Sequence, residues 1–245
     1  MKIEVFVVVA LTVFLATIPS FSADDIIAEP IEGGLTGTGY ATRMWDCCKP
    51  ACAWRSVAYI DPPVRSCEAD GSTTSSSIFD TSGCEDGGTS FICNDQHSWV
   101  VNSTFALGFA GTPLDDGNGV DNKLCCSCFL LQYTGSQHKQ FIVQIINGGS
   151  DYSEHQFDLV IPGGGVGAFP NGCTRQWGAP VGGWGEQYGG VTSEAGCDDL
   201  PEALQEYCHF RFQFLEDVSN LNITFTQVKC PTQLTDITGC FWGED

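Results

Sequence analysis

The stretch ATRMWDCCKPACAW, from Ala41 to Trp54, holds one carboxylate, Asp46, between a tryptophan and two adjacent cysteines. A second acid, Asp158, lies in QFDLVI, where Phe157, Leu159 and Ile161 form the opposite, apolar face of a strand-like run. Asp151 stands seven residues earlier in the turn-forming NGGSDYSEH, where an aspartate also serves simply to make turns. Two separated carboxylates, one kept protonated and one ionised, are the minimum equipment for splitting a glycosidic bond. Aromatic rings complete such a site by stacking on sugars. Trp45, Trp54, Trp177, Trp184 and Tyr188 occupy Gly-rich or Cys-rich segments outside the alternating strands, and each is equally suited to a place in the core.

An acid–base group has to be held within about 0.5 Å of its working position. Cys47 and Cys48 alternate in direction along an extended backbone, so two bridges there would pin the chain beside Asp46 from both sides. The competing role for Asp46 is structural, as the cap of a turn or the partner of Arg43.

The elements that must carry these residues are mostly strands. NITFTQV alternates from Ile223 to Val228, and HFRFQFL places Phe210, Phe212 and Phe214 on one face with Arg211 and Gln213 on the other, which predicts a strand. FIVQII (Phe141–Ile146) and QFDLVI (Gln156–Ile161) are apolar runs of strand length. LPEALQEYC (Leu200–Cys208) predicts a helix, with Pro201 suited to its first turn. With 29 glycines and many short strands, a barrel or sandwich with long loops is expected.

Lys2, the apolar run from Val5 to Ile18 and the small residues Ser20 and Ser22 predict a secretory signal peptide over residues 1–22. That run is shorter than the roughly 20 residues of a membrane-spanning helix. Residues 23–39 are acidic, then Gly- and Thr-rich, and read as a flexible leader; residues 40–245 read as a single catalytic domain without internal repeats. The 14 cysteines all follow the signal peptide, and an even count in an exported chain predicts disulfides whose pairing the spacing alone leaves open. Lys+Arg 10 against Asp+Glu 30 gives a formal charge of −20, which repels nucleic acid and anionic membranes over a screening length of ~8–10 Å. A neutral or cationic partner and a monomeric, extracellular protein are expected. The sequons at Asn102 and Asn222 agree with export.

Other chemistries fit poorly. CCSC (Cys125, Cys126, Cys128) lacks metal-site spacing, PGGGVG is not a dinucleotide loop, and no G-x-S-x-G occurs. His97, His138, His155 and His209 show no H-x-x-x-H pairing, although His155 lies three residues from Asp158. No metal and no cofactor are expected.

TRMWDCCKPACAW resembles the T-R-Y-W-D-C-C-K-P-S-C-x-W signature of glycoside hydrolase family 45, the endo-β-1,4-glucanases. FALGFA (Phe105–Ala110), CCSC, HQFDLVIPGGGVG and QYGG (Gln187–Gly190) follow in the family's order, so the resemblance spans Tyr40 to Cys240. It implies a mainly β fold, a six-stranded double-psi β-barrel with long disulfide-tied loops, a few short helices and an open groove. The implied activity is inverting hydrolysis of β-1,4-glucan, with Asp46 as general base, Asp158 as general acid and Asp151 as an assisting aspartate in a mobile loop. Thr42, Trp45, Trp54 and Tyr188 are the implied substrate contacts. The implied disulfides are Cys47–Cys173, Cys48–Cys84, Cys52–Cys125, Cys67–Cys93, Cys126–Cys240, Cys128–Cys230 and Cys197–Cys208. Met44 departs from the family's tyrosine and removes a hydroxyl from one subsite. The cellulose-binding module of some members has no counterpart, which favours soluble or amorphous glucan. The rivals are a xyloglucanase or glucomannanase on the same scaffold, and a non-hydrolytic protein like the expansins, which lack a base at the place of Asp46.

Overall fold

The computed structural model describes residues 26–113, 124–135, 138–149 and 152–243. The expected signal peptide lies outside the described residues. The strands are β1 (Thr36–Met44), β2 (Trp99–Asn102), β3 (Phe105–Gly111), β4 (Cys128–Tyr133), β5 (Gln140–Asn147), β6 (Gln156–Val160) and β7 (Leu221–Val228). They run β2-β3-β5-β4-β7-β1-β6, and β6 pairs back onto β3, so six strands close into a barrel with β2 attached outside it. This is the mainly β, six-stranded barrel that the resemblance implies. β1 pairs with β6, and β3 with β5, in parallel; the other pairings are antiparallel.

β3 and β5 are buried along nearly their whole length, which explains why FALGFA and FIVQII read as apolar runs rather than alternations. Phe129 packs on Phe157 and Phe225 at ring separations of 5.3 and 6.1 Å. All 14 cysteines are bridged, in the pairing that the resemblance implies. Three bridges join residues 126, 114 and 102 positions apart, where a crosslink removes the most freedom from the unfolded chain.

Two sequence expectations are corrected. HFRFQFL is not a strand: α1 (Glu202–Cys208) is followed by α2 (Phe210–Gln213). Phe210 and Phe214, four residues apart, stack at 5.3 Å and both meet Phe141 edge-on, while Arg211 is buried. A spacing of four suits a helix as well as a spacing of two suits a strand, and packing against Phe141 decides between them. The leader, read as free to Gly39, is also structured over its second half. Ile31 N–H donates to the Gln227 carbonyl, and β1 pairs with β7 from Thr36 onward. Gly39 serves close approach there, since a Cβ would lie 2.1 Å from the His155 carbonyl oxygen.

Candidate active site

Asp158 sits in the middle of β6, hydrogen-bonded into the sheet on both sides: its register partners are Thr42 of β1 and Gly111 of β3. Backbone fixed by two neighbours leaves little play for the side chain. Strand alternation buries Phe157 and Leu159 and leaves Asp158 partly open. The Thr42 hydroxyl donates to Asp158 Oδ1 at 2.6 Å and accepts from Gln156 Nε2 at 3.0 Å, so a chain of two hydrogen bonds sets the plane of the carboxyl group. A Cβ on Gly111 would lie 2.4 Å from the Tyr152 hydroxyl. The bare backbone opposite Asp158 is therefore what admits the Tyr152 ring.

Asp46 lies just beyond β1, where the chain leaves the barrel. Trp45 N–H donates to the Gly165 carbonyl at 3.0 Å, and Cys47 takes a left-handed φ of 64°. The reversal lets Cys48 N–H donate to Asp46 Oδ1 at 2.9 Å. Disulfides from Cys47 to Cys173 and from Cys48 to Cys84 hold the reversed segment on two sides. The capping role and the clamped position thus coexist in one residue. Asp46 is 6% exposed, and what is exposed of it opens onto the groove that Asp158 also lines.

That groove, about 620 Å³, runs over the barrel end between the Trp54 segment and the turn carrying Tyr188. Trp54 is half-buried and backed by a cation, with Lys49 Nζ 3.9 Å from its ring centroid. The same ammonium donates to the carbonyls of Ile78 at 2.7 Å and Asp80 at 2.8 Å. Burial pulls the Lys49 pKa below its ordinary 10.5, with Asp80 opposing the shift. Across the groove Tyr188 is 80% exposed at the tip of a turn closed by the Glu186–Gly190 bridge. Buried Arg211 anchors this turn by donating to the Gly189 carbonyl at 3.2 Å and to the Val191 carbonyl, while its own charge is met by Asp217 at 2.7 Å.

Of the residues singled out in the sequence, Asp46, Asp158, Trp54 and Tyr188 come together around this groove. Trp45 does not: it is 1% exposed, because Met44 faces the groove and the next residue along the extended chain turns into the core. Trp184 is also buried, and with Trp177 it borders a separate cleft. Thr42 spends its hydroxyl on Asp158 and Gln156 and is not part of the groove wall. Asp151 lies outside the described residues. His155 packs against Phe225 at 5.3 Å, away from the groove. Every cysteine of CCSC is in a disulfide, and among the described residues no cluster of His, Cys, Asp or Glu is arranged to hold a metal ion.

Sequence reasoning missed Lys49, Tyr152, Gln156 and Phe169 in the groove wall. Gln156 was within reach, because it shares the Asp158 face of β6 by the period of two. Lys49 carried a signal as well: a lysine enclosed by CC and P in a bridged segment has little access to water.

The profile of Glycosyl hydrolase family 45 matches residues 38–241. An endoglucanase of Phaedon cochleariae is 47% identical over 96% of this chain and 98% of its own length. An endoglucanase of Cryptopygus antarcticus is 44% identical over 86% of this chain and 92% of its own. The crystal structure of a cellulase from the Antarctic springtail Cryptopygus antarcticus superposes with a TM-score of 0.78 at 42% identity, covering 84% of this chain and 98% of that one.

Proposed function

The chain belongs to glycosyl hydrolase family 45 and is an endoglucanase of the cellulase type, and from that premise we propose that it cleaves internal β-1,4-glucosidic bonds of cellulose or a related β-glucan with inversion at the anomeric carbon. Asp46 is the general base that deprotonates the attacking water, and Asp158 is the general acid that protonates the departing glycosidic oxygen. Inversion needs about 6.5–9.5 Å between the two carboxyl groups so that a water fits between base and sugar. Asp151 is the aspartate that assists Asp158. Trp54 and Tyr188 stack on sugar rings at the two sides of the cut. The observation that carries this reading is the placement of Asp46 and Asp158 in one open groove on backbone segments fixed by independent means, one by disulfides and one by sheet pairing.

The protein is secreted as a single-domain monomer after removal of residues 1–22. Its seven disulfides support export. A neutral glucan also suits a chain of formal charge −20, which would repel a polyanion.

The test follows products on cellulose, xyloglucan and glucomannan side by side, with the anomer of the fresh reducing end read by NMR. The expected result is α-configured ends on cellulose or β-glucan. Asp46→Asn and Asp158→Asn should each lose nearly all turnover while still binding glucan, and Asp151→Asn should keep a measurable remainder. β-configured first products, or full turnover in either of the first two variants, would sink the assignment.

A further inference from the structure

The groove wall at Trp54 does not stand alone. The two carbonyls that hold the Lys49 ammonium beneath the Trp54 ring belong to Ile78 and Asp80, the residues on either side of Phe79. Phe79 is 76% exposed. Single exposed apolar side chains need no explanation in themselves. This one differs in how firmly its backbone is held. Asp80 Oδ2 accepts from Ser77 N–H at 3.0 Å and from Ser76 Oγ at 3.1 Å, Asp80 N–H donates to the Ser77 carbonyl at 3.1 Å, and Phe79 N–H donates to Ser77 Oγ at 3.1 Å. The tight turn is tied at its base to the buried lysine, which in turn lies against Trp54. The backbone that presents the Phe79 ring to water is thus tied, through Lys49, to a ring of the groove wall.

We propose that Phe79 is a further sugar-stacking platform, extending the groove by one binding position beyond Trp54 for a long β-glucan chain. The proposal rests on the substrate reading given above and adds a length preference to it. A sugar ring offers an apolar face of C–H groups, and an aromatic side chain that already faces water gains by covering that face. Little ordering cost is left at the protein, because the turn is closed before the substrate arrives. A glucan too short to extend past Trp54 makes no such contact. Phe79 therefore separates long substrates from short ones.

The test measures kcat/KM for the full-length mature protein on soluble cello-oligosaccharides of increasing length and on soluble β-glucan. The readout is the gain in kcat/KM from the shortest substrate to the longest. In Phe79→Ala that gain should shrink by about five-fold, the usual worth of one stacked ring, and Phe79→Tyr should retain it because the ring is kept. A gain in Phe79→Ala equal to that of the wild type overturns the platform and leaves the endoglucanase reading intact. A wild-type protein inert on every β-glucan overturns both.

Discussion

The Thr42 hydroxyl is the most economical handle on the acid. It donates to Asp158 Oδ1 at 2.6 Å and takes a hydrogen bond from Gln156 Nε2, so it orients one oxygen of the carboxyl group. Thr42→Val keeps the shape of the side chain and the β1 backbone pairing but deletes the donor. A hydrogen bond to a carboxylate contributes about 1.5–3 kcal/mol, and one to a neutral carboxyl about 0.5–1.5. For Asp158 in the proposed role of general acid, which works protonated, the lower range governs. Adding the disorder of a carboxyl group no longer held in one plane, the loss should come to about 1.5 kcal/mol in the barrier, or roughly ten-fold in kcat at 25 °C. Steady-state kinetics on soluble β-glucan measures it, with Thr42→Ser as the control that restores the hydroxyl and most of the rate. The partition of the effect is what discriminates. If Thr42 touched sugar, as the sequence suggests, KM would rise and kcat would hold; an unchanged kcat with raised KM refutes the positioning role drawn from the geometry.

Three further outcomes are expected. Gly111→Ala should drive its new methyl into the Tyr152 hydroxyl, which a Cβ would meet at 2.4 Å, lowering kcat by about ten- to a hundred-fold while costing about 1–3 kcal/mol in chemical denaturation. Replacing Cys47 and Cys173 together by serine opens a link across 126 residues; urea titration should show about 4–5 kcal/mol less stability, against roughly 3 kcal/mol for the Cys197→Ser/Cys208→Ser control across 11 residues, and at a temperature where both variants are fully folded activity should fall below that of the control because Asp46 loses its clamp. Burial holds the His97 imidazole below its ordinary 6.5, against the opposing pull of the Ser98 carbonyl, Asp95 and Glu206. The unfolded chain therefore binds that proton first, and stability should be lost as pH falls from about 6.5 toward the lower folded value, with no contribution from this group above it. His97→Phe keeps a ring on Tyr207 and should flatten the slope, as denaturation at several pH values can check.

What the sequence made legible was decided by how local the cause was. β7 and the buried runs of β5 and β6 are visible in the chain because one segment's own pattern of apolar residues is enough to specify them. HFRFQFL misleads because three phenylalanines at a spacing of two also contain a pair at a spacing of four. Only the presence of Phe141 beneath Phe210 and Phe214 selects the helix. The leader misleads in the opposite way. Its glycines read as freedom, yet Gly39 is where the His155 carbonyl comes too close for any side chain.

The same division runs through the site. Asp46 and Asp158 stand out in the chain because each is a charge in a setting that ordinarily excludes one: between a tryptophan and paired cysteines, or inside a strand. The residues that make them useful have no such local oddity. Thr42 meets Asp158 across 116 positions only because β1 and β6 pair in parallel with that register, and Tyr152 reaches the groove only because β3 places a glycine opposite the acid. Trp45 and Trp54, nine positions apart in a single signature, look equivalent as stacking rings, yet one fills the core and the other lines the groove. Barrel closure is what divides them, since β1 ends at Met44 and the first residue past a strand end falls on whichever face the alternation dictates. A reading of catalysis from sequence therefore finds charges before it finds the groups that aim them, and for this chain the aiming groups are where substitution should move kcat without touching either carboxylate.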